Sequence, residues 1–141
     1  MIKIKIKKIH PSAIIPKYAH EGDAGMDLYS VEDLILKPKH RSRVKTGISI
    51  ELPKGYVSLI WDKSGVASKG IKTMGGVVDS GYRGEYQVVI VNLSSKDFKI
   101  EKGQKIAQLL IQKVENPKVE IVGELSQSSR GIGSFGSTGV K

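Results

Sequence analysis

The stretch richest in chemistry runs from Gly75 to Asn92. Asp79 follows the apolar pair Val77-Val78, and Ser80-Gly81 then leads to Tyr82-Arg83-Gly84. Short apolar runs bounded by glycine and polar residues predict two strands and a tight connection, a hairpin whose return strand is Val88–Val91. Such a connection would hold one acid and one aromatic ring in fixed positions. A carboxylate beside apolar side chains can gain proton affinity and act as a general base. Aspartate also closes turns through its side chain, and for this stretch alone that reading stands beside the catalytic one.

The elements that must position these residues read as short strands. Ile2, Ile4 and Ile6 alternate with lysines on an opening strand, and Leu34–Leu36, Val44–Leu52, Tyr56–Trp61, Phe98–Ile100 and Lys105–Val114 follow, with Val119–Val122 the last. A helix fits only at Val66–Lys69, and it is one turn long. Roughly ten strands separated by turn signals predict an all-β sandwich or barrel rather than alternating β and α units. Residues 1–125 would form this single domain. Ser126–Lys141 is too polar and glycine-rich to build a core element, and is expected to be mobile without ligand. Gly131, Gly133 and Gly136 mimic a dinucleotide fingerprint, but no strand directly precedes them and too little chain follows for a helix. One arginine and one phenylalanine in this bed of Gly, Ser and Thr could instead meet an anion and stack on a base.

Composition narrows the chemistry. The chain has 141 residues, 39% hydrophobic, with 16 Gly. With no cysteine, disulfides and thiolate metal sites are excluded, and the three histidines lack ligand spacing. No stretch reads as a signal peptide or bilayer span, so a soluble, cytoplasmic protein is expected. The net charge of +9 favours an anionic partner. The basic run Lys37–Lys45 has no interleaved aromatics, so nucleic-acid binding stays open without being favoured. There is no Gly-x-x-x-x-Gly-Lys-Ser/Thr loop for a P-loop mechanism.

Five segments stand in order: Ala24–Ser30, Asp62–Gly70, Gly75–Glu85, Gly103–Ile111 and Arg130–Gly139. Together they resemble the five motifs of the trimeric deoxyuridine triphosphatases (dUTPases). The most specific are Gly76-Val77-Val78-Asp79-x-x-Tyr82-Arg83-Gly84-Glu85 and Arg130-Gly131-x-Gly133-x-Phe135-Gly136-Ser137-Thr138-Gly139, flanking Ile106-Ala107-Gln108-Leu109. The resemblance implies a jelly-roll-like β fold, a homotrimer with active sites at subunit contacts, and Mg²⁺-assisted hydrolysis of dUTP to dUMP and pyrophosphate. That reaction limits uracil in DNA and supplies dUMP for dTMP synthesis. By the same analogy, Asp79 activates water at the α-phosphorus and Tyr82 packs on the deoxyribose, excluding a 2′-hydroxyl. The backbone around Thr73, Met74 and Gly76 pairs with uracil. Lys63, Ser64, Gly65 and Gln108 belong with the phosphates, and Asp27 supports the metal's water shell or the closing tail. Arg130, Gly136, Ser137 and Thr138 close over the phosphates, and Phe135 over the base.

Three positions depart from the family's usual pattern. Lys63 stands where Arg is usual and lacks its planar fork; Gly81 stands for an Asp; Ser134 stands for a Gly. Arg83 reads as a structural ion-pair partner, for Glu85 or across the trimer. Two other functions share the scaffold, dCTP deamination and non-enzymatic binding; the tail motif and the intact Asp79 favour the hydrolase.

Overall fold

The computed structural model describes residues 1–140. It contains eleven strands and one helical turn: β1 (Lys5–Lys8), β2 (Met26–Tyr29), β3 (Leu34–Leu36), β4 (Arg41–Lys45), β5 (Ile48–Glu51), β6 (Tyr56–Trp61), α1 (Ser64–Ala67), β7 (Ile71–Met74), β8 (Val77–Asp79), β9 (Gln87–Asn92), β10 (Phe98–Ile100) and β11 (Lys105–Lys113). The strands form four small antiparallel sheets ordered β1-β5, β3-β10, β2-β11-β6-β8 and β4-β9-β7. Neighbours are mostly distant in sequence, which makes this the expected jelly-roll-like, all-β fold. Among the described residues, no helix is long and apolar enough to cross a membrane.

The inward positions of these strands build one core. Leu28, Val44, Ile48, Ile90, Ile100, Ile106 and Leu109 are completely or almost completely buried. Removing such a side chain from water is worth roughly 1.5–3 kcal/mol each, an upper figure because unfolded chains already bury part of it. Tyr86, the largest fully buried side chain, shares a 2.7 Å hydrogen bond with the buried Ser58 hydroxyl, so its polar end is satisfied inside the core.

Several sequence expectations change here. Val77–Asp79 and Val88–Val91 do not form a hairpin. β8 pairs with β6, while β9 pairs with β4 and β7 in another sheet. Ladder partners from elsewhere in the chain part the two strands, and a cavity opens between them. Val44–Leu52 is not one strand. Thr46 bonds the Tyr86 carbonyl through its N–H and its hydroxyl, and the Gly47 N–H donates to Glu85 Oε1, so the ladder breaks there and the chain changes sheets. The opening strand pairs only from Lys5 onward; Ile4 and Ile6 pack on the core, whereas Ile2 is exposed. The helical turn begins two residues earlier than expected, at Ser64. Val119–Val122 is no strand within this chain. Val119 and Ile121 are almost fully exposed, and among the described residues no neighbouring strand supplies the hydrogen bonds that extended backbone requires.

Candidate active site

β7, β8 and the start of β9 wall a cavity of about 430 Å³. Met74, Gly75, Gly76, Asp79, Tyr82 and Tyr86 all line it, and Arg43 of β4 closes one side. Gly76 has φ +105° and lies so close to β6 that a Cβ would come within 2.6 Å of the Ile60 carbonyl oxygen. The Ile60 N–H donates to the Gly76 carbonyl at 2.8 Å, so the backbone of this segment is fixed against β6.

Asp79 ends β8, opposite Val57, and is exposed. Its carbonyl accepts the Tyr82 N–H at 3.1 Å, so the main chain closes the turn, and the residue itself lines the cavity. The Arg83 guanidinium donates to the Ser80 and Tyr82 carbonyls at 2.7 and 3.0 Å, bracing the turn rather than pairing with Glu85, one of the two partners expected for it. Tyr82 donates its phenol to the Glu85 carbonyl at 3.0 Å, and its ring stands 6.1 Å from that of Tyr86. The ring lies directly over Gly84, where a Cβ would come within 2.4 Å of the phenol oxygen. Glycine is therefore required at 84 for the ring to lie as it does. At Gly81 a Cβ would meet nothing within 4 Å, so that departure from the usual motif has no steric consequence.

A second group sits elsewhere. Asp27 is buried on β2, and each of its oxygens takes one ammonium: Oδ1 from Lys63 at 2.6 Å, Oδ2 from Lys105 at 2.8 Å. Burial opposes ionisation of Asp27, but the hydrogen bonds from Lys105 and Lys63 together outweigh it and hold the carboxyl below its usual value. The same contact raises the Lys105 ammonium. Lys63 is thus placed by a buried acid, which does for a flexible ammonium part of what a planar fork does for arginine. Ser64 and Gly65 open the helical turn beside it and are exposed. Gln108 lies across from Asp27 on one side and Trp61 on the other, and its amide donates to the Asp62 carbonyl at 2.8 Å.

The two groups are apart within one chain. Gln108 is level with Trp61 of β6, whereas Asp79 is level with Val57, four residues and roughly 13 Å along the same strand. Arg130, Phe135, Gly136, Ser137 and Thr138 are exposed in a run of tight turns, with Arg130 Nε donating to the Gly133 carbonyl at 2.9 Å. None of them lines the cavity. Asp62, Lys105 and Arg43 gain individual roles only through the structure. In the sequence Asp62 and Lys105 lay inside two of the five motif segments and Arg43 inside the basic run, without being singled out.

The profile of the dUTPase family matches residues 11–139. The chain is 48% identical to the deoxyuridine 5′-triphosphate nucleotidohydrolase of Clostridium acetobutylicum, over 100% of this chain and 99% of that one. Among solved structures, the dUTPase of Staphylococcus bacteriophage 80alpha with dUPNHPP has a TM-score of 0.94 at 31% identity, covering 99% of this chain and 100% of that one. A point mutant of the dUTPase of phage phi11 of S. aureus, described with a structural Mg(II) ion, has a TM-score of 0.84 at 26% identity, covering 89% of this chain and all of that one. A match over nearly every residue, at close to half identity and on the same fold, means that the chain belongs to the dUTPase family, the dUTP diphosphatases.

Proposed function

We propose that the chain cleaves dUTP between its α- and β-phosphorus atoms, with Asp79 as the general base. Water attacks the α-phosphorus and gives its proton to the Asp79 carboxylate. The bond from that phosphorus to the bridging oxygen breaks, and pyrophosphate leaves with the electron pair. The products are dUMP and pyrophosphate, so uracil is kept from DNA and dUMP becomes available for dTMP synthesis in the cytoplasm. The observation that carries this reading is that Asp79 and Tyr82 stand together in the wall of one cavity of about 430 Å³. Tyr82, held by Gly84 and Glu85, packs on the deoxyribose and leaves no room for a 2′-hydroxyl. Thr73 N–H and the Gly76 carbonyl are already engaged, so uracil pairs with the backbone groups between them.

Lys63, Ser64, Gly65 and Gln108 take phosphate oxygens; Gln108 keeps a second amide hydrogen for that purpose. Among the described residues, no cluster of three or more His, Cys, Asp or Glu could hold a metal. This suits Mg²⁺ arriving on the triphosphate, where it would neutralise phosphate charge. Asp27 has lone pairs beyond those its lysines occupy and would reach the metal's waters through them. The Mg(II) in the phi11 relative supports a metal in this family.

The separation of Asp79 from Gln108 within one chain supports a homotrimer in which neighbouring subunits complete each site. So does the segment Val119–Leu125, where apolar Val119, Ile121 and Leu125 stand exposed among Glu120 and Glu124, as a strand awaiting another copy would. Arg130, Gly136, Ser137 and Thr138 then close on the phosphates and Phe135 on the base. The likeness to the analogue-bound phage enzyme extends over 99% of this chain, the tail included, which supports that closure. The test is pyrophosphate release from a panel of dUTP, UTP, dCTP and dTTP, with and without Mg²⁺, alongside light scattering. Selective, Mg²⁺-stimulated release from dUTP by a trimer is expected. Equal release from all four, or full activity in a monomer, would overturn it.

A further inference from the structure

Asp62 sits where the two parts of the site meet. It follows β6 directly and precedes Lys63, Ser64 and Gly65. Its carboxylate reaches across to β7, which belongs to a different sheet. Oδ1 accepts the Thr73 N–H at 2.7 Å and the Thr73 hydroxyl at 2.8 Å, and Oδ2 takes the Lys72 ammonium. The Asp62 carbonyl accepts the Gln108 amide. Two residues back, Ile60 fixes Gly76 through its N–H. The segment Thr73–Gly76 is therefore clamped at both ends by one strand terminus, and at the Thr73 end the clamp is a side chain.

We propose that Asp62 is a positioning residue that sets the backbone of Thr73–Gly76 against the turn Lys63–Gly65, and thereby sets the selectivity for uracil. The proposal rests on reading that backbone as the uracil-binding segment. Its logic is geometric. A base is selected by backbone groups only if they stand at fixed places, since a wrong base must leave them unpaired. β7 is held to its own sheet by β9, but its distance from the phosphate turn is set by the Asp62 carboxylate. A shift of about 1 Å in such a pair of subsites can cost on the order of 10²-fold in rate. The carboxylate is placed to resist that shift. Both Thr73 donors converge on one oxygen, and Lys72 fixes the other. Although burial opposes its charge, the bonds from Lys72 and Thr73 keep the acid ionised.

The test compares kcat/KM for dUTP with that for dCTP in full-length protein. In Asp62→Ala the dUTP/dCTP ratio should fall at least tenfold. Asp62→Asn keeps an Oδ1 acceptor for Thr73 and should stay within about threefold of wild type. Lys72→Gln, which removes the Oδ2 contact but leaves the Thr73 bonds intact, should lower the ratio clearly less than Asp62→Ala does. Thermal melting accompanies each variant. If Asp62→Ala does not fold, Thr73→Val, which deletes the hydroxyl bond from the other side, should lower the ratio in the same direction. An unchanged ratio in Asp62→Ala, or in Thr73→Val where that stands in, overturns the proposal. So does an equal fall in Lys72→Gln. Gly76→Ala separates the two readings, because its Cβ would displace the segment from Ile60 whatever Asp62 does. A lowered ratio there with none in Asp62→Ala rejects Asp62 and keeps the uracil-binding backbone. No change in either rejects both.

Discussion

The cavity wall and the tail carry the same kinds of groups, backbone N–H donors, hydroxyls, arginine and aromatic side chains, but in opposite physical states. Around the cavity each group is held by something fixed: Tyr82 by Gly84 and Glu85, the turn by Arg83, Gly76 by Ile60. In the tail, Phe135 and Ile132 are fully exposed, and the turns close only on themselves. The wall met its ordering cost during folding. If the tail closes as proposed, it would meet a cost of about 1–2 kcal/mol per residue when a ligand arrives. A held group suits selection of substrate, and a free one suits closure once the substrate is chosen.

The sharpest way to break this contrast is at Asp79. Asp79→Asn keeps the shape and removes the base, so turnover should fall roughly 10²–10⁴-fold while dUTP binding, followed by calorimetry, stays near wild type. Retention of more than about a tenth of normal turnover would remove Asp79 from that role. Next is truncation after Gln127. It should lower kcat by roughly 10²–10³-fold, the usual consequence of losing a charge-stabilising donor, with little change in KM. Melting temperature and oligomer size should hold, because the deleted residues are exposed and add nothing to the core. A truncated enzyme with near-normal kcat would make the tail a linker.

Smaller effects test the wall. Tyr82→Ala should raise the UTP/dUTP ratio of kcat/KM by about tenfold, in keeping with a modest steric difference in a pocket. A constant ratio would take sugar selection away from that ring. Smallest, and away from the wall, is Asp27→Asn, expected to lower stability at neutral pH by about 1–3 kcal/mol, since Lys63 and Lys105 can turn to water once released. The sign with pH is fixed by the lowered carboxyl. Its stabilisation is complete above the 3.8 of an unperturbed aspartate and is lost as pH falls through the lower folded value. Melting curves of wild type and variant should therefore converge in acid; a gap that widens there would contradict the ion-pair account.

How far the sequence could be read depended on where each element's partners lie. Gln87–Asn92 was legible as a strand from its continuous β-branched run, although the alternation of buried and half-buried positions along it is not written in residues that are apolar throughout Val88–Val91. The acid, the ring and the tail motif were equally plain. The sheet that each strand joins was not. Val77–Asp79 and Gln87–Asn92 are near in sequence, yet their ladders come from Val57–Leu59 and from Arg41–Lys45. Val119–Ile121 has the alternation of a strand but no partner among the described residues of its own chain. Asp62 passed as an ordinary charge at a strand end, because its bonds to Thr73 span a loop whose path only the fold determines.

Trp61, level with Gln108 on the strand that leads into Asp62 and Lys63, gives the molecule an optical handle. It is the chain's one tryptophan and is half exposed. Indole emission responds to the wetness and charge of its surroundings, so light excited beyond the tyrosine band reports from the side of the site where the phosphates are proposed to lie. Docking of another subunit on this face, arrival of a triphosphate beside Lys63, and folding down of the tail should each shift or quench that emission. Stopped-flow fluorescence on the unlabelled protein would then resolve assembly, binding and closure as separate phases in time.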